Sequence, residues 1–240
     1  MLTVLADDWT PARLFRPGDA GGFWDFHPQY CRQNSDGTGA VAVGQPVGWV
    51  KDLSGNGNHL VQATSAKKPV LRQDPSGYFY LDFDGVDDHI DLAAYDLLKF
   101  LNGGTLAFSA LGQYDDITAL GACCSNWLQV YRHQVKYGGN NAAIDYVNYQ
   151  SPLPSNEMIV VSVQSSLSSR VARKNGVQIG ANTNTFTPAG NVATVSVGSY
   201  QDYRYSNCNM PAYCLISRLV TGAELTRLEH WLARRAGITL

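Results

Sequence analysis

Five aspartates lie within one short segment of the sequence and could bind a hard cation. They are Asp82, Asp84, Asp87, Asp88 and Asp91. Calcium prefers several carboxylate and carbonyl oxygens, which makes Asp84, Asp87 and Asp88 a candidate metal site. Their spacing does not match an EF-hand loop, and hydrogen bonds from nearby backbone amides to aspartate side chains explain the segment without a metal. We therefore favour a structural turn and expect no cofactor, with calcium as the alternative.

Two tyrosine-rich segments carry residue types that bind sugars. Sugar sites combine aromatic platforms with polar side chains at a loop rim. The candidate ligand-binding residues are Tyr146, Tyr149, Tyr200, Tyr203, Arg204 and Tyr205. Because tyrosine is also enriched in subunit interfaces, the same loops can face another protein. We favour a protein partner here, and a glycan is the alternative.

Glycoside hydrolysis would require two carboxylates that flank the sugar bond, one as nucleophile and one as acid. The chain has three glutamates. Glu157 precedes a predicted strand in a polar turn, whereas Glu224 and Glu229 fall in a predicted helix, where capping and solvation explain them. The sequence has no nucleophile elbow, phosphate loop or dinucleotide fingerprint. The protein is therefore not expected to be an enzyme, and no catalytic residue is assigned.

The composition limits the fold classes and partners that are possible for this chain. The 240 residues are 45% hydrophobic and 16% charged, with 13 tyrosines and 23 glycines, which favours one all-β domain. A net charge of -2 gives no field that attracts nucleic acid or an anionic membrane. No apolar run reaches the roughly 18 residues of a membrane span, and residues 1–8 lack a signal peptide's basic region. We expect neither a nucleic-acid partner nor membrane insertion, and we expect synthesis to end in the cytoplasm.

The hydrophobic pattern indicates strands joined by turns. Residues 54–58 are rich in Gly and Asn and predict a tight loop. Side chains in 78–83 alternate as in a strand with one buried face. Asp84-Gly85 then predicts a hairpin, after which Ile90 and Leu92 resume the alternation.

Further strands are predicted along the rest of the chain, at 106–114, 127–131, 158–164, 170–174, 177–179, 192–200 and 212–220. Asn175-Gly176 supplies the two positive-φ residues of a type I′ turn and predicts a hairpin. The C-terminal segment is predicted to be helical, because Thr221 and Glu224 fit a capping box and an apolar leucine stripe follows. One domain would therefore comprise an irregular N-terminal arm at 1–48, a sandwich at 49–220 and a helix at 221–240.

The five cysteines are an odd number without the spacing of a metal site. Buried free thiols are the expectation for such a set. A bridge between Cys208 and Cys214 is the alternative, but a reducing compartment argues against it.

Four segments give the whole chain a resemblance to the laminin-G-like, concanavalin A-like lectin and glucanase superfamily. They are residues 52–59, residues 83–88, the 173–177 hairpin and the closing segment 219–240. A narrower resemblance, to versions found in tailed-bacteriophage structural proteins, is carried by residues 14–25, 44–48, 62–64, 69–72 and 229–240. The resemblance implies a two-sheet antiparallel jelly-roll β-sandwich with a C-terminal helix and an irregular N-terminal arm.

The function implied by this resemblance is that of a non-enzymatic virion accessory protein, in capsid decoration or in the tail attachment apparatus. Its partners would be other virion proteins or a host surface glycan, and a homotrimer is the oligomer implied by analogy. The chain would be synthesised in the bacterial host cytoplasm and end in the virion. A carbohydrate-binding lectin module and a polysaccharide hydrolase are the two alternatives, because this sandwich hosts several functions.

Overall fold

A computed structural model describes residues 8–112, 117–122, 126–130, 133–139, 145–154, 156–185, 192–200 and 204–240. Two helices are assigned in these ranges, α1 (Leu97–Leu101) and α2 (Gly222–Arg235), together with three short 3₁₀ helices at Pro11–Leu14, Pro28–Tyr30 and Ser65–Lys67. No helix within the described ranges combines the length and the apolar character that crossing a membrane requires.

Strands make up most of the regular structure. In chain order they are β1 (Gly21–Asp25), β2 (Cys31–Arg32), β3 (Trp49–Val50), β4 (Leu60–Val61), β5 (Val70–Gln73), β6 (Phe79–Asp84), β7 (Ile90–Asp96), β8 (Gly103–Gly112), β9 (Ile117–Ala122), β10 (Asn126–Val130), β11 (Gln134–Gly139), β12 (Asp145–Asn148), β13 (Ile159–Ser166), β14 (Arg170–Lys174), β15 (Val177–Asn182), β16 (Val192–Val197), β17 (Ser199–Tyr200), β18 (Arg204–Tyr205) and β19 (Asn207–Ile216).

The strands form two large antiparallel sheets. Sheet I has the order β15-β14-β13-β8-β19-β6-β5, and β1 also pairs with β19. Sheet II has the order β12-β11-β10-β9-β16-β7-β4-β3-β2, and β17 and β18 form a separate ribbon. The predicted all-β antiparallel sandwich with a C-terminal helix is therefore confirmed.

Two apolar layers hold the sandwich together. Between the sheets, Phe108 and Val161 of sheet I belong to the same buried cluster as Leu92 and Val195 of sheet II. A second cluster lies on the other face of sheet I, and it includes Phe23, Cys214, Leu228, Trp231 and Leu232. Helix α2 and the segment around Leu14 thus cover the outer face of sheet I. The described outward residues of sheet II, among them Ala93, Thr194 and Ser196, stay partly or fully exposed.

The loop after β3 is organised by one buried carboxylate. Asp52 is 4% exposed. Its Oδ1 accepts hydrogen bonds from the backbone N–H of Phe23 at 3.1 Å and of Ser54 at 2.8 Å. Its Oδ2 accepts from the Ser54 hydroxyl at 2.8 Å and from the backbone N–H of Asn58 at 2.9 Å. One side chain therefore satisfies four donors, and one of these belongs to β1.

Two asparagines of this loop complete the attachment of β1. The side-chain amides of Asn56 and Asn58 both donate to the carbonyl of Gly21, at 3.0 Å and 2.6 Å. Trp24 donates its indole N–H to the carbonyl of Asn58 at 2.8 Å. Gly57 in the same loop has φ 74°, as its predicted turn chemistry requires. The loop thus fastens β1, which the sequence did not predict, against the rest of sheet I.

The prediction of a hairpin at Asp84-Gly85 is wrong. Strand β6 lies in sheet I between β19 and β5, whereas β7 lies in sheet II between β16 and β4. The turn therefore carries the chain from one sheet to the other. Turn residues indicate only that the chain changes direction, so they do not determine which strands pair.

The prediction of a capping box at the start of α2 is also wrong, because its hydrogen bonds are not formed. Thr221 is the N-cap residue, but its side chain makes no capping hydrogen bond. Glu224 instead accepts from Arg218, with 2.8 Å between Nη1 and Oε2, and from Arg16 at 3.3 Å. An arginine within reach is the better partner for a carboxylate because the charge-assisted bond is the stronger one.

The hairpin at Asn175-Gly176 and the free thiols are confirmed. Asn175 and Gly176 have φ values of 48° and 79° and join the antiparallel strands β14 and β15. Cys208 and Cys214 are buried and free, as is Cys31, while Cys123 and Cys124 lie outside the described residues. A register shift between Asn209 and Ala212 puts Cys208 between the sheets and Cys214 beneath α2, so the two thiols face opposite sides of β19.

Replacing Asp52 should weaken the whole fold. Asp52→Ala leaves four buried or half-buried donors without their acceptor, so we expect a loss of about 3 kcal/mol in the free energy of unfolding. Asp52→Asn keeps one acceptor oxygen, so its free energy of unfolding should fall by less than that of Asp52→Ala. Urea denaturation followed by tryptophan fluorescence measures both.

The matched control is Asp36→Ala. Asp36 also accepts two hydrogen bonds from a neighbour, Thr38, but it lies at an exposed loop tip. The free energy of unfolding should therefore fall much less for Asp36→Ala than for Asp52→Ala. Equal losses for the two alanine variants would contradict the role assigned to Asp52.

Candidate functional site

The segment Asp84–His89 forms a turn built on one aspartate. Oδ1 of Asp84 accepts hydrogen bonds from the backbone N–H groups of Val86, Asp87 and Asp88, at 2.8, 3.2 and 3.3 Å. Oδ2 of Asp88 accepts in return from the backbone N–H of Asp84 at 3.2 Å. The turn chemistry expected from the sequence is therefore present, and it stabilises the Asp84 carboxylate without a cation.

The same turn brings the three candidate metal ligands together. One carboxylate oxygen each of Asp84, Asp87 and Asp88 lies within 4.8 Å of the others. Asp88 is 6% exposed. Burial, together with the nearby charge of Asp84, raises the pKa of Asp88 to about 7. The hydrogen bonds within the segment account for the turn without a cation, and calcium binding stays a prediction.

His89 connects this turn to the outer face of sheet II. Its Nδ1 lies 3.0 Å from the carbonyl of Asp87, and since a carbonyl only accepts, Nδ1 is the donor. Its Nε2 lies 3.7 Å from Oδ2 of Asp91. The hydroxyl of Ser196 donates to Oδ1 of Asp91 at 2.6 Å. Asp91 is therefore contacted on one side by β16 and on the other by the turn.

The first predicted tyrosine segment lies beside this turn. Strands β17 and β18 pair Ser199 with Tyr205 and Tyr200 with Arg204. The rings of Tyr205 and His89 have centroids 6.1 Å apart. Tyr203 lies outside the described residues, and of Tyr200 and Arg204 only the backbone is described. The structure thus brings the predicted residue Tyr205 together with the acidic turn.

The second predicted tyrosine segment lies elsewhere on sheet II, because β11, β10 and β9 separate β12 from β16. The Nζ of Lys136 lies 6.0 Å from the ring centroid of Tyr146. Tyr149 packs against the core between the sheets. Its hydroxyl is buried, and burial raises the pKa of this phenol. The buried hydroxyl of Tyr149 is therefore not available at the surface, and ligand binding by Tyr146 stays a prediction.

A row of side chains crosses the outer face of sheet II, and the sequence did not predict it. Adjacent strands pair these residues in register in the order Arg32, Trp49, Val61, Asp91, Ser196 and Gly121. Six strands spaced about 4.8 Å apart give the row a length of about 24 Å. We call it the cross-strand row. The sequence showed that Ile90 and Leu92 resume an alternation, but β2, β3 and β4 are each too short to show a period.

No protein-family model and no curated protein matches this chain. Among solved structures, domain 4 of AbnA, a GH43 extracellular arabinanase from Geobacillus stearothermophilus, in complex with arabinotriose, has a TM-score of 0.59 at 14% identity. The match covers 87% of this chain and 97% of that one. Trypanosoma rangeli sialidase in complex with sialic acid has a TM-score of 0.58 at 12% identity. That match covers 94% of this chain and 34% of the sialidase.

A third similar structure is the binding domain of botulinum neurotoxin DC in complex with SialylT. Its TM-score is 0.56 at 11% identity, over 85% of this chain and 51% of that one. The chain therefore spans about a third of the sialidase and half of the toxin chain. At such identities the likeness defines the class of fold, a β-sandwich, and the resemblance to laminin-G-like and phage proteins stays a prediction.

The raised pKa of Asp88 makes stability depend on pH. The pKa is about 7 in the folded protein and about 4 in an unfolded chain. The stability due to the bound proton is therefore complete below about pH 4 and is lost as the pH rises to about 7. Asp88→Asn should stabilise the protein above pH 7, by at most about 4 kcal/mol, and have little effect at pH 4. Thermal melting from pH 4 to pH 8 measures the difference.

Asp87→Asn is the control, since it removes the same charge from a more exposed position in the same turn. Asp87→Asn should raise the stability above pH 7 by less than Asp88→Asn does. If the three carboxylates held calcium instead, Asp88→Asn would weaken the protein in calcium-containing buffer, and a chelator would lower the melting temperature of the unsubstituted chain. Either result would contradict the turn interpretation.

Proposed function

We propose that the chain is a non-enzymatic binding module that contacts a glycan through the outer face of sheet II. The observation that carries this proposal is the difference between the two sheets. Helix α2 and the N-terminal segment cover the outer face of sheet I. In sheet II the described side chains of the cross-strand row are partly exposed, and Thr194 beside them is exposed. Sheet II therefore offers a rigid surface of mixed polar and aromatic side chains, as sugar recognition requires.

The comparisons support a glycan as the ligand. Three proteins of similar fold were solved with saccharides, namely arabinotriose, sialic acid and SialylT. These proteins differ in activity, so what they have in common is the sandwich and a bound sugar. The proposal for this chain rests on that common feature together with its own exposed sheet.

Two of the three glutamates are held in structural contacts, which argues against a catalytic role for them. Glu229 is buried and bonded to the hydroxyl of Ser162 at 2.6 Å and to Arg173 at 2.8 Å. Glu224 is bonded to Arg218. Within the cross-strand row Asp91 is the single carboxylate, so the row lacks the pair that a glycosidase places across the sugar bond. A binding role needs no such pair.

We further propose that the module belongs to a tailed-phage particle, as a capsid decoration or a tail attachment component. The resemblance of the N-terminal and C-terminal segments to phage structural proteins supports this placement. The ligand would then be a host surface glycan, and the homo-oligomer, with three copies by analogy, would multiply a weak contact. The ribbon of β17 and β18 is the surface proposed to meet other virion proteins, because it carries the predicted tyrosine Tyr205 beside the acidic turn.

A bulky residue on sheet II should block the glycan. Thr194→Trp places an indole on the exposed face, so we expect at least a tenfold loss of affinity for whichever oligosaccharide the unsubstituted chain binds on a glycan array. Thr226→Trp on the exposed side of α2 is the matched control and should bind normally. Isothermal titration gives the affinities. A blank array for the unsubstituted chain would count against glycan binding and favour a protein partner.

Placement in a virion has its own test. Mass spectrometry of purified particles from a phage that encodes this chain should detect it at a copy number related to capsid or tail symmetry. Its absence from intact particles would refute this part of the proposal and leave a lectin module.

A further inference from the structure

We infer that Arg32, Trp49 and His59 form a subsite for a carboxylate-bearing sugar, at the end of the cross-strand row that begins with β2. This inference rests on the proposed glycan binding and specifies its substrate class. It follows from the hydrogen bonds that fix these side chains, from the N–H groups that they keep unused and from the charges beside them.

His59 is held in one tautomer by the loop after β3. Its Nδ1 lies 3.0 Å from the backbone nitrogen of Asp52. Since a backbone N–H only donates, Nδ1 is the acceptor, and in the neutral ring Nε2 carries the hydrogen. Within the described ranges no residue accepts a hydrogen bond from Nε2, which is also not a buried atom. His59 therefore presents one fixed donor at the surface.

Trp49 supplies a second donor directly beside the first. The rings of Trp49 and His59 have centroids 4.6 Å apart. The indole N–H can only donate, and it has no acceptor in the part of the chain that the structure describes. Gly37 lies against the indole, since a Cβ added to it would come 3.4 Å from Cε2, so no side chain covers the ring from that position. Val61, the register partner of Trp49 on β4, provides an apolar neighbour for sugar C–H groups.

Arg32 supplies a positive charge and a pair of parallel donors. It is the register partner of Trp49 on β2, so the two side chains leave the same face of the sheet, with Cβ atoms about 5 Å apart. Its Nη1 donates to the carbonyls of Gln29 and Cys31, at 3.0 Å and 2.6 Å. Nε and Nη2 donate to no residue among those described. The side chain is thus anchored through Nη1 and keeps the edge with which arginine binds a carboxylate through two parallel bonds.

The donors of this subsite match a carboxylate better than a hydroxyl. In the neutral state of His59, each of the three side chains offers hydrogens here and none offers a free acceptor. A sugar hydroxyl both donates and accepts, so its own hydrogen would find no partner among them. A carboxylate only accepts, and its bonds to a guanidinium are charge-assisted and about twice as strong as neutral ones.

The charged neighbours also favour an anion at this end of the row. Lys51 is exposed directly after β3, and the Nζ of Lys68 is held by the carbonyl of Gln33 at 2.9 Å. Asp36 carries the opposing charge on the adjacent loop, where its Oδ1 accepts both the backbone N–H and the hydroxyl of Thr38. Asp91 is two strands beyond Trp49 along the row, about 10 Å away, where salt largely screens it.

The test measures binding of matched acidic and neutral oligosaccharides by isothermal titration at pH 7.5 and 0.15 M salt. One pair is trigalacturonic acid and its methyl ester, which keeps the rings and removes the charge. The other pair is sialyllactose and lactose. We expect the unsubstituted chain to bind at least one acidic probe at least tenfold more tightly than its neutral partner.

Two variants assign this preference to the subsite. Arg32→Gln removes the charge and the paired donors, and it should reduce the ratio of acidic to neutral affinity at least fivefold. Trp49→Phe keeps an aromatic ring but removes the indole N–H, and it should weaken binding of the acidic probe at least threefold. Arg227→Gln is the matched control, because it removes the same charge from the exposed side of α2. It should leave the ratio unchanged.

Melting temperatures establish that each variant is folded, and Trp49→Phe alone decides if Arg32→Gln does not fold. Equal or tighter binding of the neutral partners would overturn the inference and leave the proposed glycan binding intact. A preference for acidic probes that survives both substitutions would do the same. Absence of binding to every probe would overturn both.

Discussion

The buried carboxylate of Asp52 is the interaction on which the rest of the structure depends. It accepts four hydrogen bonds, and the one from Phe23 belongs to β1, a strand 29 residues earlier in the chain. Without this acceptor, β1 would keep its pairing with β19 and its bonds to Asn56 and Asn58, but the loop that holds it would lose the group that organises it. A buried charge is costly unless its bonds are satisfied, so Asp52 stabilises only the arrangement in which β1 and the loop are both in place.

That arrangement determines which face of the sandwich is closed. Once β1 is fixed, Phe23 packs edge-on against Trp231 of α2, with ring centroids 4.9 Å apart. Ion pairs secure the same layer, since Arg235 reaches Asp25 of β1 at 2.7 Å and Arg173 reaches the buried Glu229 at 2.8 Å. Sheet I is thereby covered on both faces. Sheet II is left as the surface on which the sandwich can meet another molecule.

The sequence predicted local features well and long-range pairing poorly. The strand pattern located β13 and β14, and Asn175-Gly176 predicted the turn between β14 and β15. Both features depend on neighbouring residues alone. The turn at Asp84-Gly85 was recognised, but the change of sheet that follows it was not, since pairing is decided by distant strands such as β19 and β16. Asp91 was visible as a polar residue among apolar ones. Its partner Ser196 is 105 residues away, and no local pattern could have joined them.

The acidic segment shows how turn chemistry and function can be separated residue by residue. Asp82 pairs with Arg72 at 3.2 Å, Asp84 caps the turn, and Asp88 is buried within it. These three have structural roles that account for their charge or their burial. Asp91 differs in position, because it lies on β7 in sheet II, where it accepts from Ser196 of β16 at 2.6 Å. The clustering of aspartates that first suggests a metal therefore divides into residues of the turn and one residue of sheet II that is bonded across the strands.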